Sequence, residues 1–155
     1  KINIKNDTKQ SRNESIKKDF KKEILLLANK GHKIILQYPV PEVGWHVKKK
    51  MLSQHKKPLI FIKEKDIKNN KITTSYKEFL NRTNTTYELY DSIIHDNIFR
   101  VYPSKIFCDN SVKERCITHT EHEILYWDEV HTFGFGSDLI VDQIMKKIDL
   151  IMKTD

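Results

Sequence analysis

The sequence predicts an α/β domain built on a parallel sheet, and three observations carry that reading. Two compact runs, Lys33-Ile34-Ile35-Leu36-Gln37-Tyr38 and Asn97-Ile98-Phe99-Arg100-Val101-Tyr102, are rich in branched and aromatic residues, and each stops at a proline. Such runs suit strands buried on both faces. Segments with apolar residues at helical spacing flank them. The order helix–strand–helix–strand–loop–helix fits right-handed crossover units on a parallel sheet.

The elements follow in order. Residues 1–12 are polar and patternless, and read as a linker or frayed lead-in. From about Asn13, Ile16, Phe20, Ile24, Leu27 and Ala28 share one helical face, and Lys30-Gly31 is a natural stop. After the first strand, Pro39-Val40-Pro41-Glu42-Val43-Gly44 ends the extended run, and residues 39–73 read as a long irregular connection with a short extended piece at Leu59–Ile62. A second helix opens at Ser75, with Glu78 three residues on as a capping box. Its expected face is Tyr76, Leu80, Thr83 and Tyr87, and its end lies near 91–94. A short extended stretch covers Glu123–Trp127. A last helix runs from Gly134 or Ser137 to Lys153, with Ile140, Ile144, Ile148, Ile151 and Met152 as its stripe. Two strands are too few for a complete sheet. The chain also starts at Lys1, without Met and without a signal-peptide pattern, so further strands are expected upstream.

Composition narrows the function. Charged residues make up 32% and hydrophobic residues 38% of 155, with 4 Gly and 4 Pro, which excludes collagen-like and low-complexity chains. The longest apolar runs have the length of core segments, well short of the ~20 residues of a membrane span. The net charge of +7 invites a nucleic-acid reading. The lysines are scattered and arginine is scarce, so the expectation is a solvated basic surface and no nucleic-acid partner.

The sharpest local feature is Tyr126-Trp127-Asp128-Glu129-Val130-His131-Thr132-Phe133-Gly134-Phe135-Gly136. An Asp three residues before a His, in a turn, can accept the imidazole Nδ1–H and leave the other nitrogen free to take a proton from a hydroxyl nucleophile. The competing reading is a turn whose Asp caps the next helix. Cys108 and Cys116 allow a disulfide, two free thiols, or, with His119 and His122, a metal set whose spacing departs from usual zinc sites. His32, His46, His55 and His95 have no partner at motif spacing. No serine stands in G-x-S-x-G, and Ser75 and Ser137 read as helix caps, so the His–Asp pair has no nucleophile at motif spacing.

Four stretches give the chain a family likeness. Residues 27–36 look like a helix–Gly–strand unit, and Pro39-Val40-Pro41-Glu42-Val43-Gly44-Trp45 like a PxPE-x-G connection. Ser75-Tyr76-Lys77-Glu78-Phe79 looks like the opening of the next helix. The stretch from Cys108 through Cys116 to Tyr126–His131 and Gly136 looks like a final D-x-x-H block. Together they resemble the C-terminal part of the SGNH (GDSL-like) domain fused to bacterial type 3 acyltransferase membrane proteins. The resemblance implies a three-layer α/β/α, flavodoxin-like parallel sheet, with residues 13–155 as the C-terminal portion of one domain. It implies His131 as general base, Asp128 as its orienting carboxylate, a Ser nucleophile upstream, and a Cys108–Cys116 disulfide. It implies O-acyl transfer, usually of acetyl, to a cell-surface glycan, with the acyl donor delivered by a membrane acyltransferase domain. The placement implied is extracytoplasmic and membrane-tethered, and no cofactor is called for. Asn6 could stand in for the family's oxyanion Asn, although Ile4 replaces the expected Gly. The final block departs from the family's commoner His-Leu-Ser at Thr132 and Phe133. Trp45 could touch glycan or pack on the domain.

Overall fold

The computed structural model describes residues 9–55 and 72–154. Helix α1 spans Lys9–Asn29 and so starts ahead of Asn13, inside the stretch expected to be linker. Phe20, Ile24, Leu25 and Ala28 enter the core, whereas Ile16 and Leu27, expected on that face, are exposed. The helix stops as its sequence suggests. Gly31 adopts φ 89°, its N–H donates to Ala28 O, and the His32 N–H donates to Leu27 O. This is the paired C-terminal closure that favours glycine at the left-handed position.

Strand β1, Ile34–Gln37, pairs in parallel with β3, Ile98–Val101, with Ile34 opposite Ile98 and Gln37 opposite Val101. Leu36, Ile98 and Val101 are buried, but Ile35 and Phe99 are only half-buried. Burial on both faces is thus incomplete. Among the described residues the parallel sheet has two strands, so each has one neighbour. Ala28, Leu36, Ile93 and Ile98 form its core with α1. The α/β character and the parallel pairing are present. These two strands do not delineate a full three-layer sandwich.

The described part of the connection after β1 carries a helix that the sequence did not suggest, α2, Val47–His55. Val47 and Met51, both buried, stand one turn apart around Lys48-Lys49-Lys50. The lysine run hid that spacing. The extended piece expected at Leu59–Ile62 lies outside the described residues. Strand β2, Thr73–Ser75, pairs antiparallel with β4, Arg115–Ile117, a pairing absent from the sequence reading.

Helix α3, Tyr76–Asp91, begins where the cap residue predicts, with Ser75 Oγ accepting the Glu78 N–H at 3.2 Å. Its buried residue is Phe79, and Leu80, expected inside, is exposed. At the other end the Tyr38 hydroxyl donates to the Asp91 carboxylate, tying β1 to α3. Burial first, then that carboxylate, pushes Tyr38 above the ordinary tyrosine range. A single turn, α4 (Ser104–Phe107), leads to Cys108, which is joined to Cys116 by a disulfide. Helix α5, Phe135–Thr154, buries Ile140 and Ile151 but exposes Met152. A second core unites α2, α4, β4 and α5 through Val47, Met51, Phe107, Cys116, Leu125, Tyr126 and Ile140.

Candidate active site

The site is a short hairpin over residues 125–133. The Trp127 N–H donates to His131 O at 2.8 Å and the Phe133 N–H to Leu125 O at 3.0 Å, with Tyr126 opposite Thr132. One leg is anchored because Leu125 and Tyr126 are fully buried, and the Leu125 N–H donates to Thr118 O. The Val43 N–H reaches Glu129 O at 2.8 Å, so the connection after β1 steadies the tip. Helix α5 braces the base. A Cβ placed on Gly136 would lie 2.2 Å from Leu125 O, so only glycine permits this approach.

The tip carries Asp128 and His131. Asp128 Oδ1 accepts the N–H of Val130 at 2.9 Å and of His131 at 2.8 Å, an Asx-type turn. Oδ2 stands 2.8 Å from His131 Nδ1. The His131 backbone N–H, then the Val130 N–H, then the imidazole hold the Asp128 carboxyl well below the usual carboxylate range. An ionised carboxylate only accepts, so the network assigns the imidazole hydrogen to Nδ1 and leaves a lone pair on Nε2. The His131 side chain is 75% exposed against 25% for Asp128, so the ring stands in the open while its orienting group is partly covered. The capping alternative does not describe this Asp. Both its oxygens are engaged within its own turn, and the first N–H groups of α5 donate to Phe133 O and Gly134 O.

Among the described residues no side chain hydrogen-bonds His131 Nε2. Every serine of the chain lies in this set, and the hydrogen bonds of Ser15, Ser53, Ser75, Ser92, Ser104 and Ser137 are made to other groups. Ser75 caps α3, and Ser137, expected as a cap, instead donates to Thr132 Oγ1 at 3.2 Å. Ser104 meets Tyr87, and Ser92 donates to Leu89 O.

The disulfide removes both thiols from the metal alternative. His119 is buried, with Nε2 accepting the Ile72 N–H at 3.1 Å and Nδ1 at 2.7 Å from Thr120 O. No group of three or more metal-ligating side chains occurs among the described residues. His95 bonds Asn29 and the Asn97 N–H, His32 is exposed, and His46 is half-buried. Trp45 packs half-buried on the second core with Lys50 Nζ 3.9 Å above its ring, which favours the packing role. Asn6 lies outside the described residues.

The sequence reading missed the surroundings of the pair. Trp127 and Phe133 flank it half-exposed, their ring centroids 5.3 Å apart. Lys48 Nζ sits 3.6 Å from the Trp127 centroid. Aromatic residues just outside both ends of a turn motif were the available signal.

The chain is thus an α/β domain with a parallel strand pair and a hydrogen-bonded Asp–His pair on a surface hairpin. A family model for the SGNH domain (fused to AT3 domains) matches residues 2–146. The chain therefore belongs to that family, in agreement with the four stretches described above. No curated protein and no solved structure gives a significant match. No helix among the described residues is long and apolar enough to cross a membrane.

Proposed function

We propose that this chain is the SGNH module of an O-acyltransferase, acting outside the cytoplasm on a cell-surface glycan beside a membrane acyltransferase domain. The observation that carries this reading is the 2.8 Å contact between Asp128 Oδ2 and His131 Nδ1, with Nε2 on an exposed ring and unpartnered among the described residues. A general base needs that arrangement: a fixed tautomer, a counter-charge on one side, and an open nitrogen on the other. The nucleophile is a serine outside residues 1–155, since the chain's own serines are placed elsewhere. Nε2 takes the proton of that serine as its oxygen attacks the acyl carbonyl, and passes the proton to the departing donor group. The acyl-enzyme then meets a glycan hydroxyl, Nε2 takes the hydroxyl proton, the ester to the glycan forms, and the serine regains its hydrogen. The disulfide supports an oxidising compartment.

The test is acyl transfer by the full polypeptide that contains this module. His131→Ala and Asp128→Asn each lower transfer by roughly three to four orders of magnitude. His131→Ala leaves melting of the module unchanged, whereas Asp128→Asn also lowers it because the charge-assisted bonds of the carboxylate are lost. Transfer within threefold of wild type in a folded His131→Ala protein refutes the proposal and leaves a non-catalytic module that binds glycan or docks on the membrane domain.

A further inference from the structure

We infer that Trp127, Phe133 and Lys48 form the acceptor platform beside His131, and that the saccharide seated there carries negative charge. The inference rests on the reading of His131 as an acyl-transfer base. Hairpin pairing sets the geometry. Tyr126 and Thr132 face one another on one side, and alternation places Trp127, His131 and Phe133 on the other. Tyr126 is fully buried, while Trp127 is 53% and Phe133 52% exposed. A contiguous pair of large exposed rings marks a binding surface more often than chance exposure. The two planes meet at 54°, making an angled apolar wall against which the C–H face of a pyranose can pack.

The sign of the charge follows from Lys48. Its Nζ lies 3.6 Å from the Trp127 centroid and 5.0 Å from that of Phe133. No carboxylate of the described residues pairs with it. Among the described residues its ammonium is therefore held by ring faces alone. Carboxylates close to it in sequence or beside Trp127 are engaged elsewhere or point to solvent: Glu42 lies 3.8 Å from Arg82, Asp128 is committed to Val130 and His131, and Glu129 is exposed at the tip. An acceptor with a carboxylate supplies the missing counter-ion in a charge-assisted bond, and a neutral one does not. A bilayer with anionic headgroups has related chemistry. The placement of the rings with a base that needs a hydroxyl favours the saccharide.

The experiment titrates the 155-residue chain with acidic oligosaccharides (oligogalacturonate, hyaluronan fragments), with neutral ones (malto- and chito-oligosaccharides), and with phosphatidylglycerol vesicles. The readout is the Trp127 indole N–H resonance, with Trp45 as internal control. The acidic set shifts Trp127 and binds about tenfold more tightly than the neutral set. Trp127→Ala lowers binding at least about tenfold, and Lys48→Met, which keeps an apolar stem, abolishes the acidic preference. His131→Ala keeps binding within about twofold, so a failed base assignment and a failed platform are told apart: the first shows in transfer, the second in binding. Equal affinity for acidic and neutral sugars, no saccharide binding at all, binding to vesicles alone, or an acidic preference that survives Lys48→Met in a folded chain each overturns the inference.

Discussion

Replacing Gly136 by alanine opposes two well-known effects. In a helix, Gly→Ala ordinarily stabilises by roughly 0.5–1 kcal/mol because it restricts the unfolded chain. Here the new Cβ would stand 2.2 Å from Leu125 O and 3.0 Å from Leu125 C and Cα. Carbon–oxygen contacts begin near roughly 3.3 Å, so α5 and the hairpin leg must separate by about 1 Å. The neighbour is backbone, and it cannot rotate away as a side-chain tip would. Overpacking of this kind costs about 1–3 kcal/mol or more. The oxygen under pressure also accepts the Phe133 N–H at 3.0 Å, so the bond closing the hairpin lengthens too. The net expectation is a loss of about 2 kcal/mol, a fall of roughly 4–8 °C in melting temperature for a chain of this size. Thermal unfolding followed by circular dichroism measures it, and hydrogen exchange at the Phe133 amide should quicken. On the role proposed for His131, a misplacement of about 1 Å there lowers acyl transfer by roughly 100-fold in the full polypeptide. A Gly136→Ala chain that melts at or above the wild-type temperature would refute the claim that this glycine sets the hairpin's position.

Two further predictions follow from the same hairpin. Asp128 has a depressed carboxyl pKa in the folded chain, so its contribution to stability is fully present above the ordinary aspartate value and disappears only as pH falls through the lowered folded value. Carboxyl-carbon NMR should find Asp128 still ionised at about pH 3.5, where roughly 70% of unperturbed aspartates are protonated, and titration at the ordinary value would contradict the three hydrogen bonds assigned to it. The Tyr126 hydroxyl is fully buried and has no hydrogen-bond partner among the described residues, and burial pushes its pKa above the ordinary tyrosine range. Tyr126→Phe removes an unsatisfied group while keeping the ring packed on Phe107, so it should leave stability unchanged or raise it by about 1 kcal/mol. Denaturant unfolding measures this, and a loss of more than about 1 kcal/mol would mean that the hydroxyl does find a partner.

Features closed by neighbours in sequence were legible without coordinates. Gly31 ends α1 through bonds reaching back to Ala28 and Leu27, and Ser75 starts α3 through Glu78. The Asp128–His131 contact is of the same kind, since three residues of chain hold both groups in one turn. The parallel strands were legible because β-branched runs closed by proline have few other uses. The family followed from the order of such local pieces. Tertiary structure alone decided the rest. The Thr118 hydroxyl donates to Ile72 O across 46 residues beside the β2–β4 pair, and three-residue strands carry too little pattern to announce such a partner. The burial of Phe79 rather than Leu80 depended on which side of α3 the rest of the fold occupied. The need for glycine at 136 comes from a carbonyl eleven positions earlier that packing brings against α5. Lys48 meets Trp127 only because the connection after β1 folds back on the hairpin. Local hydrogen bonds and chain stereochemistry are written within a few residues, whereas burial, close approach and long-range charge contacts depend on which distant surfaces the folded core presses together.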